Sequence, residues 1–260
     1  MVNGDGVVAF KRRGMTIGEA YFDPDAADAP GLGRVDLMRI VGAFTPPSGP
    51  ARKRHTLVLD LGQDEDALLA QMGKDTRSKI RRGAERDPLE VSCMPEPTGA
   101  DIDAFAEFYD RFAAAQSVAP AFRPRLEALA ERGNLVLTAA ARDDGEVLVR
   151  HAYVASRGRG FMLYSGSVLA ESEDSGARNL IGRANRYLHW HDIRLFKERG
   201  FEIYDFGGLD VEERSPKTAG IARFKRGFGG EVRPVFSVTR ARSLRGAAAQ
   251  RILALRGVEF

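Results

Sequence analysis

Lys225 has the strongest claim to chemistry in this chain. It stands in the glycine-rich run Gly220-Ile221-Ala222-Arg223-Phe224-Lys225-Arg226-Gly227-Phe228-Gly229-Gly230. A fixed cation there can steady the oxyanion that forms when an amine attacks an ester or thioester, a contribution of several kcal/mol to the barrier. The bland alternative is a surface lysine on a short helix. Gly207-Gly208 closes one apolar run and Gly229-Gly230 precedes another. Glycines at such places let a ligand approach the backbone, whose N–H groups can hold an anion, or they serve only as tight turns. Asp205 is a candidate acceptor for an incoming amine. An aspartate at a strand end more often caps the turn that follows.

A second cluster lies upstream. Lys74, Arg77, Lys79, Arg81, Arg82 and Arg86 put six cations within 13 residues, against Asp75 and Glu85. On a helix this is a phosphate-binding face for tRNA or a nucleotide-linked acceptor, with arginine offering bidentate recognition, or it is a solvated surface. His189 and His191 are two apart, so they point in different directions on a helix and make no metal pair. Trp190 with Leu188, Ile193 and Phe196 reads as a buried stripe. His151 and His55 fall in strands and show no Asp or Ser partner in the sequence. No Gly-x-Ser-x-Gly elbow occurs, and Ser165-Gly166-Ser167 reads as a turn. Direct attack by an acceptor amine, without a covalent enzyme intermediate, is therefore the simpler chemistry.

The elements that must position these residues are legible in outline. Short strands are expected at Val7–Lys11, Met15–Phe22 and Val35–Val41, with a loop over Asp23–Gly31. Thr45–Pro50 followed by Arg52-Lys53-Arg54 reads as a linker or exposed turn. His55–Leu61 has the pattern of a buried strand. A helix capped by Asp64 follows, weakened at Gly73 into two pieces and ended by Pro88. Leu89–Met94 is a strand, and Asp101–Ala115 and Arg123–Arg132 are helices. Asn134–Ala141 and Val147–Ala155 form a hairpin about Asp143-Asp144-Gly145. Gly160–Ser167 is a further strand, followed by the acidic loop Glu171–Asp174 and a long helix over Ala177–Arg199. Phe201–Phe206, Ala219–Phe228 and Val232–Arg240 complete the pattern as strand, helix and strand. The order predicts an α/β (α+β) layer fold, with helices covering a mixed, mainly antiparallel sheet.

The 260 residues are 43% hydrophobic and 29% charged, which suits one large or two small cores and excludes a largely disordered or fibrous chain. Lys and Arg number 39 against 36 acids, a net charge of +3 that is too mild to mark a nucleic-acid binder by itself. No apolar run has the roughly 18 residues needed to span a bilayer. Met1–Gly6 lacks the pattern of a secretory signal, and the lone Cys93 makes neither a disulfide nor a metal-site spacing. A cytoplasmic location is the expectation. The tail has arginines at 240, 242, 245, 251 and 256 and no acid between them. Leu244, Ala248, Ile252 and Leu255 share one helical face. That face is expected to dock on the body, with anionic lipid or RNA as the alternative.

Tyr204-Asp205-Phe206-Gly207-Gly208-Leu209 and the Phe224-Lys225 pair before Phe228-Gly229-Gly230 resemble the Fem family of non-ribosomal aminoacyltransferases. The stretch Thr56–Val91 adds to the likeness, especially Asp60-Leu61 and Thr76–Gly83. The resemblance runs from about His55 to Pro234 and implies the fold of the wider GNAT superfamily. Members typically carry two such halves, some with a coiled-coil arm. The likeness implies a reduced N-terminal half with the basic helix at 1–87, an acyltransferase domain at 88–240, a basic helix at 241–260 and no arm.

The resemblance also implies an oxyanion role for Lys225, with Phe224 lining the acyl site. It sets Tyr204, Gly207, Gly208, Arg223 and Phe228 at the substrate, and lays Arg77, Lys79, Arg81 and Arg82 beside the cleft. The implied donor is aminoacyl-tRNA, with no resident cofactor, and the acceptor is a small-molecule or peptide amine. An acyl-CoA donor is the runner-up. Its pyrophosphate would need N–H groups at a helix start, where the acids of Glu171-Ser172-Glu173-Asp174 are unfavourable. A non-catalytic RNA-binding module is the reading from another class.

Overall fold

Arginine–glycine turns fold both halves of the sheet in the same way. Strands β1 (Val7–Arg12) and β2 (Met15–Tyr21) meet through Arg13 and Gly14 at φ +49° and +74°. Strands β7 (Val147–Ser156) and β8 (Arg159–Ser167) meet through Arg157 and Gly158 at φ +49° and +70°. Positive φ at both central residues is the two-residue hairpin geometry that matches strand twist. Each hairpin then crosses over to a parallel neighbour. β2 pairs in parallel with β3 (Leu37–Ala43), and β8 pairs in parallel with β9 (Ile203–Leu209). The second crossover holds the 24-residue helix α5 (Ser175–Glu198). The first half thus has the strand order of the second on a reduced scale.

The computed structural model describes residues 5–26, 34–87, 89–168 and 174–255. Residues 27–31 of the expected loop Asp23–Gly31, the helix stop at Pro88, the acids Glu171 and Glu173, and Arg256 lie outside them. The remaining strands are β4 (Arg52–Asp60), β5 (Leu89–Met94), β6 (Leu135–Arg142) and β10 (Glu231–Ala241). All ten make one sheet in the order β1-β2-β3-β10-β4-β9-β8-β7-β6-β5, antiparallel except for the two pairs named. Because β10 lies between β3 and β4, the late strand completes the early half. Residues 87 and 240 mark no break in the sheet. Arg52–Arg54, expected in a linker, begin β4, and Ser165–Ser167 lie in β8 opposite Val149–His151, as the expected strand Gly160–Ser167 has it and not as a turn.

Gly73 breaks the predicted helix into α1 (Glu65–Ala70) and α2 (Lys74–Glu85). Capping boxes start α3 (Gly99–Gln116) at Thr98/Asp101 and α6 (Pro216–Arg226) at Ser215/Thr218. The other helices are α4 (Arg123–Glu131) and α7 (Leu244–Leu255). Strand alternation divides the core between two faces. Ala152 and Val154 of β7 pack with α3 and α4, whereas Tyr153 and Ala155 face α5 with Trp190, Ile193 and Phe196.

Helix α7 docks by an unexpected face. Gly246 closes directly on the Asp36 carbonyl oxygen, Ala249 packs into the α3–α4 core cluster and Gln250 bonds the Thr239 carbonyl at 2.8 Å. Leu244 is 92% exposed and Ile252 51% exposed. Leu244, Ala248 and Ile252 of the apolar stripe therefore face outward, because the small side chains permit the closer approach. Among the described residues no helix is long and apolar enough to cross a membrane.

Candidate active site

The parallel β8–β9 ladder is short. It pairs Arg159–Phe161 with Ile203–Asp205, although β8 runs on to Ser167 and β9 to Leu209. Beyond the ladder, Lys225 Nζ donates to the carbonyl oxygens of Gly207 at 3.2 Å and Gly208 at 2.7 Å. Gly207 has φ +72°, and a Cβ there would stand 2.8 Å from the Met162 carbonyl oxygen, so the strand end admits glycine alone. Burial lowers the Lys225 pKa to about 8, with Asp205 acting in the opposite direction. An ammonium has three donors, and these two carbonyls engage two of them.

Helix α6 is fixed by its neighbours. Gly73 N–H, at the start of α2, donates to the Gly227 carbonyl at 2.9 Å. Phe224 lies half-buried beneath the Arg186 guanidinium, 4.7 Å from its ring, and against His189 at 5.4 Å. Phe228 and Tyr204 are wholly buried and form the layer behind the lysine. They shape the wall from within the core. Arg223 is exposed at the end of α6.

Asp205 is not placed to receive an amine. Its carboxylate is fully buried, paired with the Arg159 guanidinium, close to the Thr56 hydroxyl, and accepts the Gly207 N–H at 2.7 Å. Alternation turns it to the face opposite Tyr204 and Phe206. The turn-capping alternative is the one present, strengthened by a buried ion pair. The Arg159 guanidinium also lies 4.0 Å over the Phe44 ring and 4.4 Å over the Phe22 ring.

The basic helix converges on no single point. Arg77 donates to the Met72 carbonyl at 2.6 Å and the Ala70 carbonyl at 3.0 Å, closing the end of α1. Its Nη1 thus caps a helix. Lys79 pairs with Asp75 at 2.9 Å, one turn back. Arg81 and Arg82 are exposed. Cations gather instead at an open cleft of about 500 Å³ lined by Arg52, Lys53, Arg54, His55, Gly208 and Arg214, together with Asp210 and Glu212, which pair with Arg214. Gly208 joins this cleft to the lysine. The Arg52-Lys53-Arg54 run was its visible signal, and only non-local strand pairing sets it beside β9.

Histidine also has more to do than its spacing suggests. His151 does have an acidic partner: its Nδ1 lies 2.7 Å from Asp192 Oδ2, across 41 residues of sequence. His189 Nδ1 lies 2.7 Å from the Tyr204 hydroxyl. Both histidines are buried between α5 and the sheet.

A mixed, mainly antiparallel sheet whose short parallel pair is bridged by a long helix, with a lysine at the open end, defines an acyltransferase fold. The family model described as acetyltransferase (GNAT) domain matches residues 70–226, and the chain belongs to that family. It is an acyltransferase. Among solved structures the chain is similar to FemX at 14% identity and TM-score 0.61, covering 95% of this chain and 86% of that one. It is also similar to the C-terminal domain of a putative lysylphosphatidylglycerol synthetase from Agrobacterium fabrum, at 15% identity and TM-score 0.53, covering 96% and 88%. A third likeness is L-PGS from Bacillus licheniformis, at 12% identity and TM-score 0.53, covering 97% and 85%. At these identities the likeness is one of fold, and there it agrees with the Fem resemblance. No curated protein sequence matches the chain.

Proposed function

We propose that the protein moves an aminoacyl group from aminoacyl-tRNA to the amine of a small molecule or peptide. The observation that carries this reading is the Lys225 ammonium, held on the Gly207 and Gly208 carbonyls where the cationic cleft meets β9. The amine attacks the ester carbonyl, the carbonyl oxygen gathers charge beside the free ammonium donor, and the bond to the ribose oxygen breaks as the amide forms. The amine gives up a proton and the ribose oxygen gains one. Phe224 forms the apolar wall of the acyl site, and the cations of the β4 cleft receive the nucleic-acid phosphates. Arg81, Arg82 and Arg223 are secondary phosphate contacts. The names of FemX and of a lysylphosphatidylglycerol synthetase agree with aminoacyl transfer.

The acyl-CoA alternative is disfavoured by the start of α5, where Asp174 already accepts the Gly176 N–H at 2.8 Å. A pyrophosphate there would meet that carboxylate. The RNA-binding alternative leaves a desolvated lysine with nothing to do. The exposed Leu244 and Ile252, with Arg251 between them on α7, support a peripheral contact with anionic lipid in the cytoplasm.

Mass spectrometry of products formed with a charged tRNA pool and, separately, with a panel of acyl-CoA esters decides between donors. An amide product that ribonuclease abolishes is expected. Full turnover with an acyl-CoA alone overturns the tRNA donor. RNA binding with no product from either donor favours the non-enzymatic reading.

A further inference from the structure

Beneath α5 a line of buried polar groups crosses the second half of the molecule. Tyr204 and Tyr153 bring their hydroxyl oxygens within 2.7 Å of each other. Tyr153 donates to Asp192 Oδ2 at 2.6 Å, and His151 Nδ1 approaches the same oxygen at 2.7 Å. The proton inventory sets the direction. Tyr153 gives its only proton to Asp192, so Tyr204 gives its own to Tyr153. The Tyr204 oxygen then accepts from His189 Nδ1–H. His189 Nε2 is left with its lone pair, and no described residue bonds it.

Each end of the line meets a site. The His189 ring packs against Phe224, the expected wall of the acyl pocket, and against Phe206 and Phe228. Its charged and titratable neighbours are His151 on β7, Tyr204 on β9, Arg186 along α5 and Lys225 on α6. Burial first, then His151, Lys225 and Arg186, hold it well below the usual histidine range, so it is neutral at neutral pH. At the far end, Asp192 Oδ1 and Thr138 Oγ1 are buried without a hydrogen-bond partner among the described residues. Both residues line one cavity of about 180 Å³ with Cys93, His191 and Glu198. Packing alone gives no reason for two tyrosines, two histidines and an uncompensated carboxylate oxygen in an apolar layer.

We propose that His189 takes the proton lost by the attacking amine, and that Tyr204, Tyr153 and Asp192 pass the charge to the cavity at Thr138. This rests on the acyl-transfer reading but not on the choice of donor. As the N–C bond forms, the amine proton moves to His189 Nε2. The Nδ1 proton shifts to Tyr204, the Tyr204 proton to Tyr153, and the Tyr153 proton to Asp192. Asp192 gains one proton and releases it to solvent at the cavity, and the leaving group takes one proton from solvent at the open end of the site, so the protons balance. No electrons change hands and no co-reactant is required.

The test compares the wild type with His189→Gln, Tyr204→Phe and Tyr153→Phe, each shown to fold by its thermal midpoint. His189→Gln is expected to lower kcat by about tenfold or more at unchanged KM for the donor. Tyr204→Phe and Tyr153→Phe are expected to lower it less and to turn a curved solvent-deuterium proton inventory into a linear one, which a structural role would not do. Nitrogen-15 NMR of the donor-free protein should find the Nδ1–H tautomer at His189. An Nε2–H tautomer, or His189→Gln turning over like the wild type, overturns the relay and leaves acyl transfer standing. Wild-type turnover with acyl-CoA alone removes the tRNA donor while the same variants still judge the relay. No wild-type product with any donor removes acyl transfer and the relay with it.

Discussion

Glu19 in the first half and Asp192 in the second are both 1% exposed, yet they are held in opposite ways. Glu19 Oε1 accepts from Arg39 at 2.6 Å and Arg125 at 3.0 Å, and Oε2 accepts from the Tyr21 hydroxyl at 2.7 Å. Two guanidinium groups and a phenol satisfy it. Among the described residues Asp192 has no arginine or lysine on its oxygens: Oδ2 meets Tyr153 and His151, and Oδ1 has no hydrogen-bond partner. A saturated carboxylate ties strands and helices together and has no freedom to exchange protons. An unsaturated one beside a cavity can do so. The two halves share turns and strand order, and the second carries the long crossover helix α5, under which such a line forms.

The largest expected break is Glu19→Ala, which strands Arg125 and Arg39 and should cost about 3–5 kcal/mol in urea unfolding. A midpoint within error of the wild type would refute the saturated role. Asp192→Asn should lose only about 1 kcal/mol of stability, because among the described residues it leaves no arginine or lysine without its partner. Its turnover should nevertheless fall by about tenfold if proton release passes through it. Equal losses of stability at the two positions would erase the contrast.

The pH dependence sharpens it further. Lys225 is a cation below its pKa of about 8 and loses that charge as the pH rises through it. The rate should therefore decline above that pH. Lys225→Arg, which keeps its charge, should carry the alkaline limb upward even if its maximal rate is lower. An unmoved limb would assign the titration elsewhere.

The smallest effects concern salt. Charge reversal at Lys53 and Arg54 should flatten the dependence of donor binding on salt by about two in log–log slope. Reversal at Arg81 and Arg82 should change it by less than about one. The opposite ranking would return the phosphates to α2.

Local chemistry made much of the fold legible. Asp143-Asp144-Gly145 marked a hairpin, Gly73 a break between helices, and Asp64 a cap, and all three act within a few residues of chain. The insertion of β10 between β3 and β4 was not legible, since it joins segments some 190 residues apart. The same holds for Asp192 opposite His151. Other misreadings had local remedies. Tyr204 and Phe206 already claim the apolar face of β9, so Asp205 must point away from them. Helix α7 shows where an apolar stripe misleads: Gly246 reaches the sheet more closely than Leu244 could. Lys225 was singled out by its glycine setting, but its seat on two carbonyls depends on where the β8–β9 ladder ends.

The most direct measurement is the initial rate of amide formation by Lys225→Ala beside the wild type, followed by mass spectrometry with the donor that supports turnover. The expected result is a rate lower by about tenfold or more with an unchanged thermal midpoint. A variant that folds normally and forms amide at the wild-type rate would contradict the role given to the ammonium.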